Sequence, residues 1–427
     1  MEINVIHDKF LTCSGISTDT RKIQPRSMFV AIRGERFDAN AFASEALQKG
    51  AWFVIIDNQE YYIDQRTIVV RDSLETLQRL ANFHRNYLQL PIVALTGSNG
   101  KTTTKELIHA VLSQKFNAKA TIGNLNNHIG VPLTLLSFSA ETEIGIVEMG
   151  ANHQKEIEFL CRIAEPDYGY ITNFGKAHLE GFGGAQGVIK GKSELYDYLA
   201  SHSRMAFINL DDPIQVEKSH GLPHYAFGIN QAKAALNIDQ VSANPFVEVS
   251  FEGVTINSKL IGLYNASNIS AAIAIGKYFE IDNAQIKAAI ERYTPENNRS
   301  QILHKAGNEI ILDAYNANPS SMAVAIENFL QLDKPNKVAI LGDMFELGPE
   351  SAAEHKALVQ SVEKATDIAF VFIGKDFSEN NLEREHFTFY HTFEQFAYVL
   401  KRQPLSGKTM LVKGSRGMAL ERVLDYL

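Results

Sequence analysis

Short apolar runs alternate with longer amphipathic stretches over the first part of the chain. The runs MFVAI, AWFVII and TIVV are typical of buried strands, whereas FASEALQKGA and SLETLQRLANFHRNYL carry apolar residues at helical spacing. Leu90 and Pro91 interrupt this pattern directly before the next apolar run. We therefore predict a small α/β domain over residues 1–88.

A second region, 89–297, carries four further apolar runs with helical stretches between them. IVALTG, EIGIVEMG, DYGYITNFG and MAFINLDD predict buried strands, and TTTKELIHAVLSQ predicts a helix. Apolar strands separated by helices favour a mostly parallel sheet that is covered on both faces. FVEVSFEGVTINSKLIG favours antiparallel strands instead. The helix NASNISAAIAIGKYF is predicted to close this domain before a polar linker at 293–300.

The third region, 298–427, repeats the alternation of strand and helix. NEIILDAY, KVAILGD, IAFVFIG and TMLVKG predict strands, and SSMAVAIENFLQL and FEQFAYVLKRQ predict helices between them. This order is typical of a compact Rossmann-like domain. The fold class expected for the whole chain is therefore α/β with three domains, of which the central one carries the mostly parallel sheet.

Composition narrows the class of protein. Of 427 residues, 45% are hydrophobic and 21% are charged, which is ordinary for a globular protein, and the net charge of -8 argues against a nucleic-acid partner. The two cysteines are too few for a disulfide framework or a cysteine-rich metal site, which fits a reducing cytosol. The first residues do not resemble a signal peptide, and no run of about 18 apolar residues occurs. We expect a cytoplasmic protein without membrane insertion.

The stretch LTGSNGKTTT lies between a predicted strand and a predicted helix, where a phosphate-binding loop is expected. It departs from the common pattern G-x-x-x-x-G-K-[ST] because Leu95 stands at the place of the first glycine. Gly97 and Gly100 still permit tight turns, and N–H groups at the start of a helix attract phosphate oxygens. Lys101 would neutralise phosphate charge, and the Thr102 hydroxyl would bind Mg²⁺. The alternative is a glycine turn that caps an ordinary helix.

Three further side chains are candidate catalytic or metal-binding groups. Glu148 ends the apolar run GIVEMG, and a carboxylate at a strand end suits Mg²⁺, although a solvated carboxylate would have the same pattern. His178 lies in the glycine-rich stretch ITNFGKAHLEGFGG, which is also consistent with a surface histidine. The local spacing around Lys192, in KGKSELYD, indicates only a solvated lysine on a helix.

Two glycine-bearing or proline-bearing turns in the third region add polar residues. DAYNANPSSM, at 313–322, follows a strand and opens a helix, so that Asn318 or Ser320 could be the N-cap. VKGSRGMALE, at 412–421, is a strand-to-helix turn with two cations. Such a turn is suited to an anion such as a carboxylate, although a surface loop would have a similar composition.

Together these stretches resemble the Mur ligase family of ATP-dependent amide ligases, nearly from end to end. The family carries a T-G-[ST]-N-G-K-T-T loop that lacks the early glycine, as the stretch at 96–103 does. GNLNNHIGVPLTLL, VEMGANHQKEI, DAYNANP, LGDMFELG and KGSRGMALE are similar to the members that join D-alanyl-D-alanine to UDP-N-acetylmuramoyl-tripeptide. STDTRKIQPRSMFVAIRGERFDAN, at 17–40, resembles the uridine-nucleotide domain of the family.

The resemblance implies roles for the matching residues. Lys101, Glu148, His178 and Lys192 would be catalytic; Thr102 and Glu148 would hold one Mg²⁺, and His178 would help to hold a second. Lys192 matches a family lysine that becomes carbamylated and then supports a metal. The residues implied in ATP binding are Gly97, Ser98, Asn99, Gly100, Lys101, Thr102, Thr103, Asn268, Arg299, Asp313, Tyr315 and Asn316. Those implied in substrate binding are Thr20 and Arg21 at the uridine diphosphate, Asn126 and Asn127 at the muramoyl part, and Asp343, Lys413, Ser415 and Arg416 in the third domain.

The implied reaction activates the terminal carboxylate of the tripeptide as an acyl phosphate. The free amine of D-alanyl-D-alanine then attacks the acyl carbon and expels phosphate. ATP would lie between the second and third domains, whose closure would assemble the site. The protein is expected to act as a monomer on these small-molecule substrates.

Two other interpretations of function remain beside this one. A sister ligase that adds the third amino acid would usually show D-N-P-R in its last domain, and no such tetrapeptide occurs in the chain. A P-loop kinase or a nucleotide-regulated binding protein would not need the KGSRGMALE turn or the uridine-type first domain.

The chain departs from the family pattern at three positions. Tyr264 stands where the family often has histidine, and Asn298 stands where it often has glycine. Ala314 stands where the family has a second acidic residue.

Overall fold

The computed structural model describes residues 1–427, and its first elements form a small parallel sheet flanked by helices. In chain order these elements are α1 (Ile3–Leu11), β1 (Ile16–Ser17), β2 (Met28–Val30), β3 (Arg33–Gly34), β4 (Phe37–Asp38), α2 (Ala43–Gln48), β5 (Phe53–Ile56), β6 (Thr67–Val69) and α3 (Ser73–Leu88). The sheet has the order β1-β2-β5-β6 with all strands parallel, and β3 and β4 form a short hairpin. The predicted small α/β domain is confirmed.

The second group of elements contains a seven-stranded sheet in the order β13-β12-β11-β10-β7-β9-β8, and every pair in it is parallel. Its elements are β7 (Ile92–Thr96), α4 (Lys101–Leu112), β8 (Ala118–Ala120), α5 (Gly130–Leu135), β9 (Ile144–Glu148), α6 (Glu156–Ala164), β10 (Tyr168–Ile171), α7 (Leu179–Phe182), α8 (Ala185–Ser201), β11 (Met205–Asn209), α9 (Pro213–Lys218), β12 (His224–Ile229) and β13 (Leu236–Ile238). Strands β7 and β9 are fully buried, which explains their continuous apolar sequences.

Three antiparallel strands and two helices complete the second group. They are β14 (Gln240–Ala243), β15 (Phe246–Phe251), β16 (Val254–Ile261), α10 (Asn265–Tyr278) and α11 (Asn283–Arg292). The prediction that α10 closes this domain was wrong, because α11 follows and packs on β16 and α4. Helix α11 is short and half of its residues are polar. Its buried face consists of Ile286, Ala289 and Ile290.

The third group is a six-stranded sheet in the order β17-β18-β22-β19-β20-β21, in which only β17 runs antiparallel to its neighbour. Its elements are β17 (Gln301–Lys305), β18 (Asn308–Leu312), α12 (Pro319–Gln331), β19 (Lys337–Gly342), α13 (Ser351–Ser361), β20 (Ala369–Ile373), α14 (Lys375–Glu379), β21 (Phe387–Tyr390), α15 (Phe393–Arg402) and β22 (Thr409–Lys413). The Rossmann-like prediction is confirmed. The turn after β22 leads into two 3₁₀ helices and not into an α-helix, and Ala419 between them adopts the left-handed conformation.

Helix α3 joins the first group of elements to the second. It begins after Asp72, whose carboxylate accepts the amide N–H of Glu75, and it packs against α5 and α6. At its end the buried Arg85 donates to the carbonyl oxygen of Ala164 at 3.1 Å and to the carboxylate of Asp167 at 2.9 Å. The first domain is therefore attached to the second by a helix that belongs to both cores.

The third group contacts the second at the carboxyl edge of the seven-stranded sheet. Helix α7 packs against the 3₁₀ turn Gly348–Glu350, and the loops after β7 and β10 form hydrogen bonds with the start of α12. Ligands of open α/β sheets bind at this edge. None of the helices combines the length and the apolar character that crossing a membrane requires. Both cysteines are free thiols.

Candidate functional site

The loop between β7 and α4 has the backbone geometry of an anion-binding turn. Gly97 has φ of 140° and Gly100 has φ of 79°, both in the region that favours glycine. A side chain at position 97 would place its first carbon 2.0 Å from Thr172 Oγ1, so that only glycine fits there. Because α4 begins at Lys101, the unpaired N–H groups of its first turn open onto this loop.

The Lys101 ammonium is held inside the loop by backbone carbonyls. Its Nζ donates to the carbonyl oxygen of Gly97 at 2.7 Å and to that of Ser98 at 3.2 Å. Burial lowers the pKa of Lys101, the Glu148 carboxylate opposes this shift, and the Arg299 guanidinium adds to it. A phosphate that entered the loop would meet a cation already enclosed by the protein, with a second cation nearby.

The tip of the loop rests on the segment after β10, which the sequence analysis did not single out as a support. The Asn173 side chain accepts the amide N–H of Asn99 at 3.0 Å and donates to the carbonyl oxygen of Asn99 at 3.0 Å. Thr172 Oγ1 donates to that carbonyl at 2.6 Å, and Ser98 Oγ donates to the carbonyl of Gly175 at 2.7 Å. The pairing of β10 with β7 brings these residues together. A signal was present in the stretch ITNFG, which directly follows a predicted strand.

Glu148, at the end of β9, carries the feature that best fits a metal ion. The residue is 1% exposed, its Oε1 accepts the side-chain amide of Asn126 at 2.8 Å, and its Oε2 is buried without a hydrogen-bond partner. An orphaned buried carboxylate oxygen is unfavourable unless a cation or donor satisfies it. No three His, Cys, Asp or Glu side chains gather to hold a metal by themselves. A Mg²⁺ would therefore take further ligands from a hydroxyl such as that of Thr102, from phosphate and from water.

Lys192, on α8, lies in the protein interior, so the interpretation as a solvated helix lysine is wrong. The residue is 0% exposed, and its Nζ donates to the carbonyl oxygen of Ala151 at 3.1 Å. Burial and the Lys101 charge hold the pKa of Lys192 well below its usual range, against the opposing effect of Glu156 and Glu194. Burial thus favours the neutral form of the Lys192 amine, which is the form that reacts with CO₂.

His178 lies at the contact between the second and third domains, in the left-handed conformation. Its Nδ1 forms a hydrogen bond with a carboxylate oxygen of Glu346, which follows β19 in the third domain. This bond lowers the pKa of Glu346. His178 therefore faces the site, while one of its ring nitrogens is engaged by the other domain.

The third domain contributes a cationic and aromatic wall. The Arg299 guanidinium stacks on the Tyr315 ring at 3.6 Å, and its Nε is buried without a hydrogen-bond partner. The Asp313 carboxylate accepts the amide N–H of Ser300 at 3.1 Å and the Nζ of Lys413 at 2.6 Å. Lys413 is thus committed to an internal ion pair, whereas Arg299 retains a free donor.

These elements enclose one cavity of about 930 Å³ between the second and third domains, a volume typical of ligand sites. Asn268 lies against the loop there, because a side chain at Gly100 would come within 2.6 Å of its Oδ1. Tyr264 also reaches the cavity and bonds to the Ser300 hydroxyl at 2.7 Å. The predicted residues that line the cavity are Ser98, Asn99, Gly100, Lys101, Thr102, Thr103, Asn126, Asn127, Glu148, His178, Asn268, Arg299, Asp313, Tyr315, Asn316 and Lys413.

Three predicted substrate residues of the third domain do not line the cavity. Asp343 is 3% exposed, and its carboxylate accepts the amide N–H groups of Asp376 and Phe377, each at 3.0 Å. It therefore fixes the start of α14, and its role at the substrate stays a prediction. Ser415 is buried and accepts the N–H of Phe345 at 2.8 Å, and Arg416 is exposed and paired with Glu421.

Thr20 and Arg21 lie in the first domain, apart from the cavity. They form a 3₁₀ turn that begins after Asp19, and the Arg21 side chain is 84% exposed. Its guanidinium bonds to the Asp19 carboxylate at 2.8 Å. The structure thus leaves these two residues as a separate polar surface of the first domain.

Three family models match successive parts of the chain. The Mur ligase family catalytic domain matches residues 12–85, the Mur ligase middle domain matches 95–276, and the Mur ligase glutamate ligase domain matches 298–416. These matches fall on the three groups of elements described above.

Proteins of similar sequence are known over nearly the full length. The UDP-N-acetylmuramoyl-tripeptide--D-alanyl-D-alanine ligase of Bacillus subtilis (strain 168) is 33% identical, over 97% of this chain and 93% of that protein. The protein of the same description from Escherichia coli (strain K12) is 34% identical, over 98% of this chain and 94% of that protein.

Solved structures resemble the whole chain as well. MurF from Acinetobacter baumannii superposes with a TM-score of 0.85 at 30% identity, covering 96% of this chain and 92% of that one. The MurF ligase from Thermotoga maritima in complex with ADP superposes with a TM-score of 0.84 at 26% identity, covering 98% of this chain and 97% of that one.

Proposed function

The chain belongs to the Mur ligase family, and we propose on that basis that it joins D-alanyl-D-alanine to UDP-N-acetylmuramoyl-tripeptide with ATP as co-substrate. The product would be the UDP-linked pentapeptide used in peptidoglycan synthesis. One observation carries this proposal: a single cavity brings the phosphate loop, the orphaned Glu148 oxygen and the free donor of Arg299 together. The relatives whose printed names state this ligation cover almost the whole chain, which supports the choice of substrates.

In the first step the loop and Lys101 would hold the phosphates of ATP while the terminal carboxylate of the tripeptide attacks the γ-phosphorus. The carboxylate forms a P–O bond, ADP leaves, and an acyl phosphate results. Mg²⁺, when bound, supplies charge neutralisation at these phosphates, with Glu148 and Thr102 as its protein ligands. In this step no protein side chain would form a covalent bond with the substrates. The protein would therefore contribute by positioning the reactants and by stabilising their charge.

In the second step the free amine of D-alanyl-D-alanine would attack the acyl carbon. The amide bond forms, inorganic phosphate leaves with the C–O bond electrons, and the amine loses a proton. Water would compete with the amine for the acyl phosphate, so that exclusion of water by the third domain favours ligation over hydrolysis. The contacts of His178 and Lys176 with the third domain support such a closed arrangement.

We also propose that Lys192 becomes carbamylated and that His178 helps to hold a second Mg²⁺. In its neutral form the buried amine of Lys192 would form an N–C bond with CO₂ and release one proton, and the charge of the resulting anion would be opposite to that of Lys101. Electron density from crystals grown with bicarbonate should extend beyond Nζ. An unmodified Lys192 amine in crystals of fully active protein would contradict this proposal.

Further proposals concern substrate contacts in the first and second domains. Thr20 and Arg21 would meet the uridine diphosphate, and Asn126 and Asn127 the muramoyl part. The exposure of Arg21 supports its availability to a ligand. The variant Arg21→Ala should raise KM for the UDP substrate and leave KM for ATP unchanged, and a selective rise in KM for ATP would contradict the assignment.

We propose domain bounds at 1–88, 89–297 and 298–427, in a monomer that works in the cytoplasm. The family matches at 12–85, 95–276 and 298–416 support these bounds. Limited proteolysis should cut first within 293–300, where no regular element occurs. Sedimentation should give one species near 47.5 kDa, and a dimer would contradict the proposed state.

The test of function is a product analysis with matched acceptors. The protein is incubated with ATP, Mg²⁺ and UDP-muramoyl-tripeptide, with either D-alanyl-D-alanine or single amino acids added, and the products are weighed. A mass gain of D-alanyl-D-alanine minus water, with release of ADP and phosphate, is expected. In a parallel incubation with UDP-muramoyl-dipeptide in place of the tripeptide, addition of one amino acid would indicate the sister ligase. A stable phosphorylated product in either incubation would indicate a kinase.

A further inference from the structure

Three parts of the chain meet at one point in the wall of the cavity. We call this point the loop–cap junction and define it by Asn99 of the phosphate loop, Gly175 and Lys176 after β10, and Asn318 and Ser320 at the start of α12. Asn318 Nδ2 donates to Asn99 Oδ1 at 2.7 Å, and the Lys176 amide N–H donates to Ser320 Oγ at 2.7 Å. The junction therefore links the second and third domains through polar contacts at the tip of the loop.

The orientation of the Asn318 amide follows from its role as N-cap of α12. Its Oδ1 accepts the amide N–H of Ser321 at 2.9 Å, and Ser321 Oγ accepts the amide N–H of Asn318 at 3.0 Å, which completes a capping box. Because the oxygen is committed to the helix, the nitrogen is the group that points to Asn99. One side chain thus starts a helix of the third domain and holds the phosphate loop of the second.

Gly175 shows how closely these parts approach each other. A side chain at this position would place its first carbon 2.9 Å from Asn99 Nδ2 and 3.0 Å from Ser320 Oγ. The carbonyl oxygen of Gly175 also accepts the Ser98 hydroxyl at 2.7 Å. The loop and the helix therefore contact each other across one glycine without room for an intervening side chain.

The remaining polar contacts between the two domains do not reach the loop. Lys176 pairs with Glu354, and His178 bonds to Glu346, both beyond the glycine. The Asn318–Asn99 bond is the one hydrogen bond that joins the third domain to residues 97–104. Movement of the third domain would consequently displace the Asn318 amide that bonds to Asn99 at the tip of the loop.

We propose that Asn318 is a positioning residue that orders the phosphate loop when the third domain docks, so that docking and ATP binding are coupled through Asn99. This inference depends on the proposed function in one respect, which is that the nucleotide bound by the loop is ATP. A single net hydrogen bond corresponds to a change of roughly 3- to 10-fold in an equilibrium constant. Loss of the bond should therefore raise KM for ATP by about that factor, with a smaller change in KM for D-alanyl-D-alanine.

Two variants of the full-length protein separate the bridge from the helix cap. Asn318→Ser retains a good N-cap but is too short to reach Asn99, whereas Ser321→Ala removes one half of the capping box and leaves the bridge intact. Amide hydrogen exchange over residues 97–101 is measured without nucleotide, and Tm is measured in parallel. Asn318→Ser should speed exchange roughly 3- to 10-fold at an almost unchanged Tm. Ser321→Ala should lower Tm and leave exchange of the loop unchanged.

A third variant keeps the proposal testable if Asn318→Ser does not fold. Asn99→Ala removes the acceptor while the α12 cap stays intact, and it should speed loop exchange by the same route. In the double variant the effects should not add, because the bond is already absent in each single variant. Unchanged loop exchange in Asn318→Ser and Asn99→Ala, or additive effects on KM for ATP, would overturn the proposal.

The exchange measurement also separates this inference from the proposed function. If the wild-type protein consumes no ATP with the UDP-peptide and D-alanyl-D-alanine, the proposed function fails, while loop exchange still reports on the junction. If ligation occurs and Asn318→Ser changes KM for D-alanyl-D-alanine alone, the function stands and the positioning role of Asn318 is overturned.

Discussion

The interface between the first and second domains differs from the interface between the second and third. At the first interface the long helix α3 packs on α5 and α6, and buried polar groups such as Arg85 and His84 bond directly across it. At the second interface the short helix α7 touches a turn, and polar side chains meet around a cavity of about 930 Å³. The difference indicates that the first interface is a permanent part of the fold. We propose that the second opens and closes around ligands.

The largest effect is expected in the cavity of the second interface, where Lys101→Ala should reduce ligation by about 10²- to 10⁴-fold. The variant removes the cation that the loop carbonyls hold for phosphate, together with its hydrogen bonds to the carbonyl oxygens of Gly97 and Ser98. Turnover and Tm are measured together, with the exposed Lys190→Ala as control. Near-normal turnover in Lys101→Ala would contradict the assignment of the nucleotide site to this interface.

At the first interface, Arg85→Ala should cost stability and not catalysis. The guanidinium satisfies the carbonyls of Ala164 and Glu165 and the Asp167 carboxylate, so its removal leaves buried acceptors unpaired. We expect a loss of about 3 kcal/mol in the free energy of unfolding. The control is Arg79→Ala, on the exposed face of the same helix. Equal denaturation midpoints for the two variants would show that the interface is not held in this way.

A smaller effect is expected for Lys176→Ala at the second interface. The Lys176 side chain in the pair with Glu354 is half exposed. Exposed pairs contribute about 0.2–1 kcal/mol, which corresponds to at most about a 5-fold shift between open and closed forms. Small-angle scattering with ATP and tripeptide should show incomplete compaction, and high salt should mimic the variant. Lys364→Ala, on the exposed surface of the third domain, is the control. Scattering profiles that do not respond to ligands even in the wild-type protein would argue against a closing interface.

The smallest effect concerns the pH dependence of the first interface. His84 bonds to the carbonyl oxygen of Phe138 at 3.0 Å and to His7 at 2.9 Å. Burial lowers the pKa of both histidines below 6.5, and for His7 the neighbouring His84 adds to this, against an opposing effect of Asp8. The unfolded chain therefore binds more protons near pH 6, so that stability is present above pH 6.5 and is lost as the pH falls.

In His84→Gln this loss of stability on acidification should shrink. The difference in Tm between neutral and mildly acidic buffer should become smaller in this variant. The expected decrease is about 2–4 °C for each kcal/mol of unfolding free energy that the wild type loses through protonation of His84. Differential scanning fluorimetry across this range is the measurement, and His109→Gln on α4 is the matched control. An identical acid profile for His84→Gln and wild type would place the sensitivity elsewhere.

The sequence predicted those parts of the fold and site that depend on local pattern. Strands β7, β9 and β10 are buried on both faces and therefore read as apolar runs, and the phosphate loop lies between a strand and a helix. Helix α11 was not predicted because its buried face is short and interrupted by polar residues. Local pattern thus identified the frame and the loop, and it missed an element of weak periodicity.

The features that local pattern could not predict are contacts between distant parts of the chain. Burial of Lys192 depends on how α8 packs, and the support that Asn173 gives to the loop depends on the order of strands in the sheet. Asp343 lies in a family-like stretch, yet the structure uses its carboxylate for two backbone N–H groups. Spacing along one segment contains none of this information, because each case is decided by an element elsewhere in the sequence.

The strand order of the third domain has a consequence for biosynthesis. Strand β22 pairs with β18 on one side and with β19 on the other, although β20 and β21 precede it in the chain. During translation, therefore, the middle of this sheet stays vacant until residues 409–413 leave the ribosome, and only then can Lys413 meet Asp313. A nascent chain would hold a folded phosphate loop well before it had a complete partner domain. Ribosomal stalling before β22 should yield an intermediate that has a folded phosphate loop but is unable to ligate.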